Sequence, residues 1–292
     1  MIFLIILDWP DKYTRVIFCD VGQGDAILVQ KGFNQVLIDS GANNDVSNCL
    51  DRYLPFWDRE IEIAVATHAD KDHIGGFRSV LREFFVKEMT IGNLGKKTDV
   101  FYTFRELLLS EKNEGMRLNL LSDNSQYEID DNLFLYNFIT RVESAPKGLF
   151  EAEITETQLW DQIELQEAWL KEQKTDLNTL SVVNILQYGK VSFLLTGDLD
   201  IEGEQALLET GLIKDVDVLK VGHHGSKTST SDDLLSVALP EVSIISVGEK
   251  NNYRHPSPQV LTKLAKFGSK VLRTDQLGDI IIVTDGQTYW FE

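Results

Sequence analysis

Thr67-His-Ala-Asp-Lys-Asp-His-Ile-Gly-Gly76 sets His68, Asp70, Asp72 and His73 immediately behind the apolar, β-branched run Ile61–Ala66. A short run of this kind reads as a buried strand. Side chains on the loop that follows hang from the carboxyl end of a sheet, where open α/β folds build their sites. Two imidazoles and two carboxylates offer donors enough for two divalent cations. The absence of sulfur suits zinc, manganese or iron in a hydrolytic role.

Working outward, the chain's other three histidines repeat the arrangement. His223 and His224 stand in Val221-Gly-His-His-Gly-Ser226, behind the run Val216–Lys220. His255 stands in Asn252-Tyr-Arg-His-Pro256, after the run Val242–Val247. A further run, Val191–Leu195, ends in Thr196-Gly197-Asp198 and brings a carboxylate to the same edge. Glycine at 197 permits close backbone approach, and Asp198 can bridge two ions. Adjacent histidines on one loop usually point apart, so one of His223 and His224 ligates while the other donates a proton or meets substrate. His255, beside Tyr253 and Arg254, suits a proton donor or a contact to an oxyanion.

The rest of the chain reads as strands and helices in both halves, predicting two sheets sandwiched between helices. The strand-like segments Val16–Cys19, Ala26–Gln30 and Gln35–Ile38 open it, with Gly32 and Asn34 as turn residues. Val80, Leu81, Phe84 and Phe85 fall on one face of a helix after Gly75-Gly76, and Val100–Ser110 predicts another. Residues 143–178 differ in composition, with eight acidic side chains against two lysines over 151–178, and read as an insertion carrying a surface helix at Thr155–Gln173. The whole, residues 1–292, is read as one domain with that insertion.

Composition narrows the class. With 43% hydrophobic and 25% charged residues the chain is an ordinary globular protein. Met1–Leu7 is apolar but too short to span a bilayer and lacks the flanks of a signal peptide, so it predicts a buried first strand and no membrane insertion. Cys19 and Cys49 show neither a disulfide framework nor metal-ligand spacing, so Cys19 is expected to be a small buried hydrophobe and the compartment cytoplasmic. A net charge of −18 argues against tight binding along an extended duplex, which calls for a basic surface.

Six motifs, in order, carry a resemblance: Asp20-Val-Gly-Gln-Gly-Asp25, Leu37-Ile-Asp-Ser-Gly41, Thr67–Gly76, Leu195-Thr-Gly-Asp198, Leu219-Lys-Val-Gly-His-His-Gly-Ser226 and Tyr253-Arg-His-Pro256. Together they resemble the metallo-β-lactamase superfamily, in particular the hydrolase domain of ComEC-type DNA-uptake (competence) proteins, over about residues 16 to 284. The resemblance implies an α+β fold, an αββα sandwich of two mixed sheets with a two-metal site at one edge. By position it puts His68 and Asp70 in the first metal site, Asp72 and His73 in the second, Asp198 between them, and His223 as the remaining ligand. Asp39 and Asp25, with Asn178 and Ser181, are expected behind these ligands, steadying them. Asp70 stands where most of the superfamily has histidine, and Asn178-Thr-Leu-Ser181 replaces a further first-site histidine. The first site is therefore oxygen-rich, which weakens zinc there and favours manganese or magnesium.

The function implied is a phosphodiesterase or nuclease, with single-stranded DNA as substrate, zinc or manganese as cofactor, and a metal-held hydroxide attacking phosphorus. Catalytic roles fall to Asp198 and Asp72, with His224 or His255 protonating the leaving oxygen. Ser226, Lys227, Tyr253 and Arg254 are expected on the substrate. A small-molecule phosphodiesterase acting on a nucleotide or phosphocholine-type ester keeps the same site without the charge difficulty. A third reading, of another class, is a metal-stabilised subunit of a multi-protein defence or regulatory system, docking through the acidic insertion.

Overall fold

The computed structural model describes residues 11–93, 98–121, 124–139 and 176–292, with positions 168, 171 and 172 between them. The expected strand Met1–Leu7 and most of the expected helix Thr155–Gln173 lie outside the described residues.

Two sheets face each other. In spatial order the first runs β15 (Tyr289–Phe291), β14 (Ile280–Thr284), β1 (Thr14–Phe18), β2 (Ile27–Lys31), β3 (Asn34–Ile38), β4 (Glu60–His68), β5 (Phe85–Asn93) and β6 (Arg117–Leu120). The second runs β13 (Lys270–Arg273), β12 (Val242–Ile245), β11 (Val218–Lys220), β10 (Val191–Leu195), β9 (Val182–Tyr188), β8 (Leu133–Ile139) and β7 (Ser125–Asp130). Within the first sheet β3 to β6 are parallel, and within the second β10 to β13 are parallel. The remaining neighbours are antiparallel, so both sheets are mixed.

Alternation along the strands assigns the faces, because successive side chains point to opposite sides of a sheet. Val16 and Phe18 of β1 turn toward the second sheet and meet Phe193, Leu195, Val218 and Ile244, whereas Ile17 between them packs on the helical side. That helical side is covered by α1 (Asp45–Tyr53), α2 (Lys71–Ile74), α3 (Phe77–Glu83) and α4 (Asp99–Asn113), through Leu50, Ile74, Phe77 and Phe104. The second sheet is covered by α5 (Ile201–Glu209), α6 (Asp232–Ala238) and α7 (Pro258–Lys266), through Leu207, Leu234 and Val260. Three apolar layers result, which is the expected αββα sandwich. Among the described residues no helix is long and apolar enough to cross a membrane.

Two expectations are corrected. The helix read through Phe84 and Phe85 ends at Glu83, and Phe85 opens β5. This strand is interior, with Met89 and Thr90 on opposite faces both fully buried, so it lacks the one-sided pattern that marks a half-exposed strand. The cysteines are not independent either: Cys19, just past β1, and Cys49, on α1, form a disulfide with their Cα atoms 6.0 Å apart. Thirty positions separate them in sequence, but the loop after β1 and the helix after β3 pack against each other in the fold. Persistent disulfides belong to oxidising compartments, so the bond weighs against the expectation of a cytoplasmic chain.

Candidate metal centre

The loops that carry the polar motifs leave the carboxyl ends of β1, β3, β4, β10, β11 and β12. Backbone hydrogen bonds lace them together. Asp25 N–H donates to the Asp72 carbonyl, Ser40 N–H to the His73 carbonyl, and Gly41 N–H to the Asp25 carbonyl. Gly24 (φ +137°) makes this crossing possible, since a Cβ there would lie 2.3 Å from the Asp72 carbonyl oxygen. Gly197 (φ +53°) plays the same part beneath Asp198, where a Cβ would meet the Ser181 hydroxyl at 2.3 Å.

Three imidazoles are held by one nitrogen each. His73 Nδ1 donates to Asp39 Oδ2 at 2.7 Å. His68 Nδ1 lies 3.0 Å from the Thr67 hydroxyl, which itself donates to Asp39 Oδ2 at 2.7 Å. His224 Nδ1 is 2.8 Å from the Ser246 carbonyl, which can only accept and so fixes the proton on that nitrogen. The other nitrogen, Nε2, of all three rings is buried and without a hydrogen-bond partner, as is Asp198 Oδ1. Buried polar atoms are normally paired, because an unpaired one costs about 1–3 kcal/mol. Here the orphans face one another: His73 Nε2 is 3.2 Å and His224 Nε2 3.4 Å from Asp198 Oδ1, and His224 Nε2 is 3.5 Å from Asp72 Oδ2. Imidazole nitrogens converging on carboxylate oxygens form, once deprotonated, the donor set of a divalent cation.

Donor atoms within 4.8 Å of one another fall into overlapping groups. One is His68, His73 and Asp198, another Asp72, His73 and His224, and a third Asp25, Asp198 and His224. Asp198 joins the first to the third, the place of a bridging carboxylate. The residues present therefore fit a divalent-metal centre.

The structure distributes the expected roles differently at three points. His224, not His223, lies fully buried among the donors, whereas His223 is partly exposed with its Nε2 3.9 Å from Asp198 Oδ2. Both histidines have positive φ, 47° and 53°, a conformation costly for residues with a Cβ. That backbone turns the two rings to opposite sides, so only one enters the core. Asp25, expected behind the ligands, reaches donor distance, while Asp70 belongs to none of the groups and stands at the N-cap position of α2 without a side-chain capping hydrogen bond. Asn178 lies against the His223 ring at 3.4 Å, and Ser181 Oγ accepts from Asp198 N–H at 3.2 Å. Asp39, with φ 58°, buttresses two histidines at once.

Lys220 belongs to the centre although the sequence assigned it no role. Its ammonium is fully buried, donates to the Gly197 carbonyl at 2.7 Å, contacts Asp25 Oδ2, and lies 3.8 Å from Asp198 Oδ1. A carboxylate sunk this deep costs several kcal/mol unless compensated, and Lys220 supplies a fixed positive charge to two of them. Its signal was a lysine closing an otherwise apolar strand.

The charges act on the histidines in opposite ways. Burial resists protonation of His73, but Asp198 and Asp39 outweigh it and hold the ring well above its ordinary value. His224 is likewise raised by Asp198 and Asp72 against burial. Burial and the neighbouring His73 push His68 down. Asp198, though buried, is held well below the usual carboxylate range by His224 and His73.

At the rim, His255 is half-buried, its ring 5.8 Å from that of His223, and Tyr253 stacks on it at 5.7 Å with 13° between planes. Asn251 fixes this loop, accepting from His255 N–H and donating to the His255 and Gly248 carbonyls. Burial and the nearby His223 and His224 lower the His255 pKa. Tyr253, Arg254 and Lys227 are exposed, while the Ser226 hydroxyl is turned to Thr228.

Comparison with known proteins gives the family. The chain is 30% identical to ComE operon protein 3 of Bacillus subtilis over 96% of its own length and 34% of that protein. It is 29% identical to Recombination protein 2 of Haemophilus influenzae over 89% of its length and 28% of that protein. The chain thus spans about a third of the curated relatives it matches. Among solved structures it resembles the metallo-β-lactamase fold protein YhfI of Bacillus subtilis, with a TM-score of 0.54 and 10% identity over 94% of this chain and all of that one. The diiron β-hydroxylase CmlA of Streptomyces venezuelae gives a TM-score of 0.52 at 11% identity, over 90% of this chain and 53% of that one. Those two likenesses speak for the fold alone. The family described as Metallo-beta-lactamase superfamily matches residues 19–249, a span that takes in every candidate ligand, and the chain belongs to that superfamily.

Proposed function

We propose that the chain is a divalent-metal-dependent phosphodiesterase acting on nucleic acid, with single-stranded DNA as its substrate. The observation that carries the reading is the buried set of partnerless Nε2 and carboxylate oxygen atoms, with the stacked rings of His255 and Tyr253 beside His223. Relatives named for competence and recombination favour a DNA substrate. His68, His73, Asp72, His224, Asp25 and Asp198 would hold the ions, zinc or manganese. Bound there, such ions polarise a phosphate and lower the pKa of water.

The chain's own residues supply the rest. Asp39 and the Ser246 carbonyl keep the ring protons on the outer nitrogens, so Nε2 lone pairs face inward. Lys220 holds Asp25 and Asp198 in place. With His224 committed to the cluster, His223 and His255 are the imidazoles left at the rim to hand a proton to a leaving oxygen. Tyr253, already stacked on His255, offers a face to a base, and stacking of that kind tolerates any sequence. Arg254 and Lys227 would meet phosphate oxygens. A net charge of −18 is consistent with a short contacted segment, not a long basic track.

The test is cleavage of end-labelled single-stranded DNA by the chain with Mn²⁺, beside Asp198→Ala. Cleavage that disappears in the variant supports the reading. Hydrolysis of small diesters without any cut in DNA would replace it with a small-molecule phosphodiesterase. An Asp198→Ala chain that retains its biological effect would point to a binding subunit.

A further inference from the structure

A cavity of about 240 Å³ lies on the helical side of the motif loops, where the N-terminal ends of α1 and α4 meet α2 and α3. Its polar lining comes from Lys71, Arg78, Asn43, Asn44 and Thr103, with the backbone of Gly75. Two features set it apart. The chain carries 46 acidic residues against 28 basic ones, yet among the described residues no carboxylate lines this cavity. Asp45 and Asp99, in the first turns of α1 and α4, stand outside the lining. Both cations, moreover, lack a carboxylate partner among the described residues and are exposed at its mouth.

Position ties the cavity to the metal centre. Lys71 sits between Asp70 and Asp72, and Gly75 two residues beyond His73. Helical spacing sends Lys71, Ile74, Gly75 and Arg78 to one side, away from the donors Asp72 and His73. The same short segment thus presents candidate metal ligands on one face and two exposed cations on the other. Asn44, at the N-cap of α1, makes no capping hydrogen bond with its side chain, so its amide remains available. Two cations and side-chain amides, with no competing carboxylate among the described residues, form a receptor for a phosphate group.

We infer that this cavity is a second phosphate subsite, holding the backbone of the substrate strand beyond the scissile bond; the inference rests on the nucleic-acid reading of the centre. It lets a strongly acidic protein grip a polyanion at one place. It also makes affinity for a strand exceed that for a single phosphodiester.

The experiment measures fluorescence anisotropy of a short, end-labelled single-stranded oligonucleotide across a salt titration. The protein is the full chain carrying Asp198→Ala, with Mn²⁺ present, so that binding is read without cutting. Adding Lys71→Gln and Arg78→Gln should lower the slope of log affinity against log salt by about 1.4, two contacts at ~0.7 each for a single strand. Restoring charge with Arg78→Lys should return about half of that loss. A control pair, Lys190→Gln with Lys214→Gln, removes the same net charge from exposed positions elsewhere and should leave the slope unchanged. Equal slopes for the parent and the Lys71/Arg78 pair, an equal fall with the control pair, or no binding by the parent would each overturn the subsite. Cleavage of DNA by the wild-type chain with an unchanged slope removes the subsite alone. A slope that falls as expected without any cleavage removes the nuclease reading alone.

Discussion

Reduction of the Cys19–Cys49 bond is the sharpest perturbation the fold offers, because it changes the unfolded chain while disturbing the native one little. Both sulfurs are buried, at 1% and 2% exposure, so two thiols occupy nearly the same space and no cavity opens. What is lost is the constraint on a loop closed across a separation of 30 residues. Loop-closure entropy for that length corresponds to about 3.6 kcal/mol at room temperature. A protein of this size has an unfolding entropy of about 0.6 kcal/mol per kelvin, so Tm should fall by about 6 °C. The assay is thermal unfolding of the full chain with and without reductant, repeated on Cys19→Ser/Cys49→Ser. Mass spectrometry after alkylation under denaturing, non-reducing conditions counts free thiols beforehand. Two alkylated cysteines in the untreated protein, or an unfolding transition indifferent to reductant, would refute the reasoning.

Other outcomes follow from the centre. His224→Ala should weaken Mn²⁺ binding by more than the roughly 10–100-fold typical of a supporting residue, whereas His223→Ala should leave it nearly unchanged; calorimetric titration decides. Asp39→Asn keeps the shape but loses the charge that orients His73 and, through Thr67, His68, so metal affinity should drop about 10–100-fold with the fold intact by circular dichroism. In the metal-free protein His73 and His224 are raised above 6.5, so the stability they lend is full below that pH and lost as pH rises through their folded values. Ions must displace those protons, so metal uptake should release protons near neutrality and tighten with rising pH, seen as a buffer-dependent binding enthalpy.

Much of this was legible in the sequence, because each motif follows a run whose β-branched residues specify a strand and hence an edge. That logic places His68, His73, Asp198 and the double histidine together without any coordinates. It could not choose between His223 and His224, since two consecutive left-handed residues decide which ring turns inward, and only packing against Gly197 and Ser246 holds that conformation. Lys220 was hidden for a related reason. A lysine at the end of an apolar strand usually snorkels to water, whereas here Asp25 from the other sheet, the Gly197 carbonyl and Asp198 keep it inside. The disulfide was missed because thirty residues of separation say nothing about two elements that meet only after β1 and β3 have paired with β2.

His68, Asp72 and His73 come from the first half of the chain and Asp198 and His224 from the second, on loops of two different sheets. Neither half alone holds more than part of the donor set. A nascent or clipped fragment of this chain therefore lacks the complete donor set. The complete donor set arises only when sheet docks on sheet, so the centre itself reports that the two halves have come together.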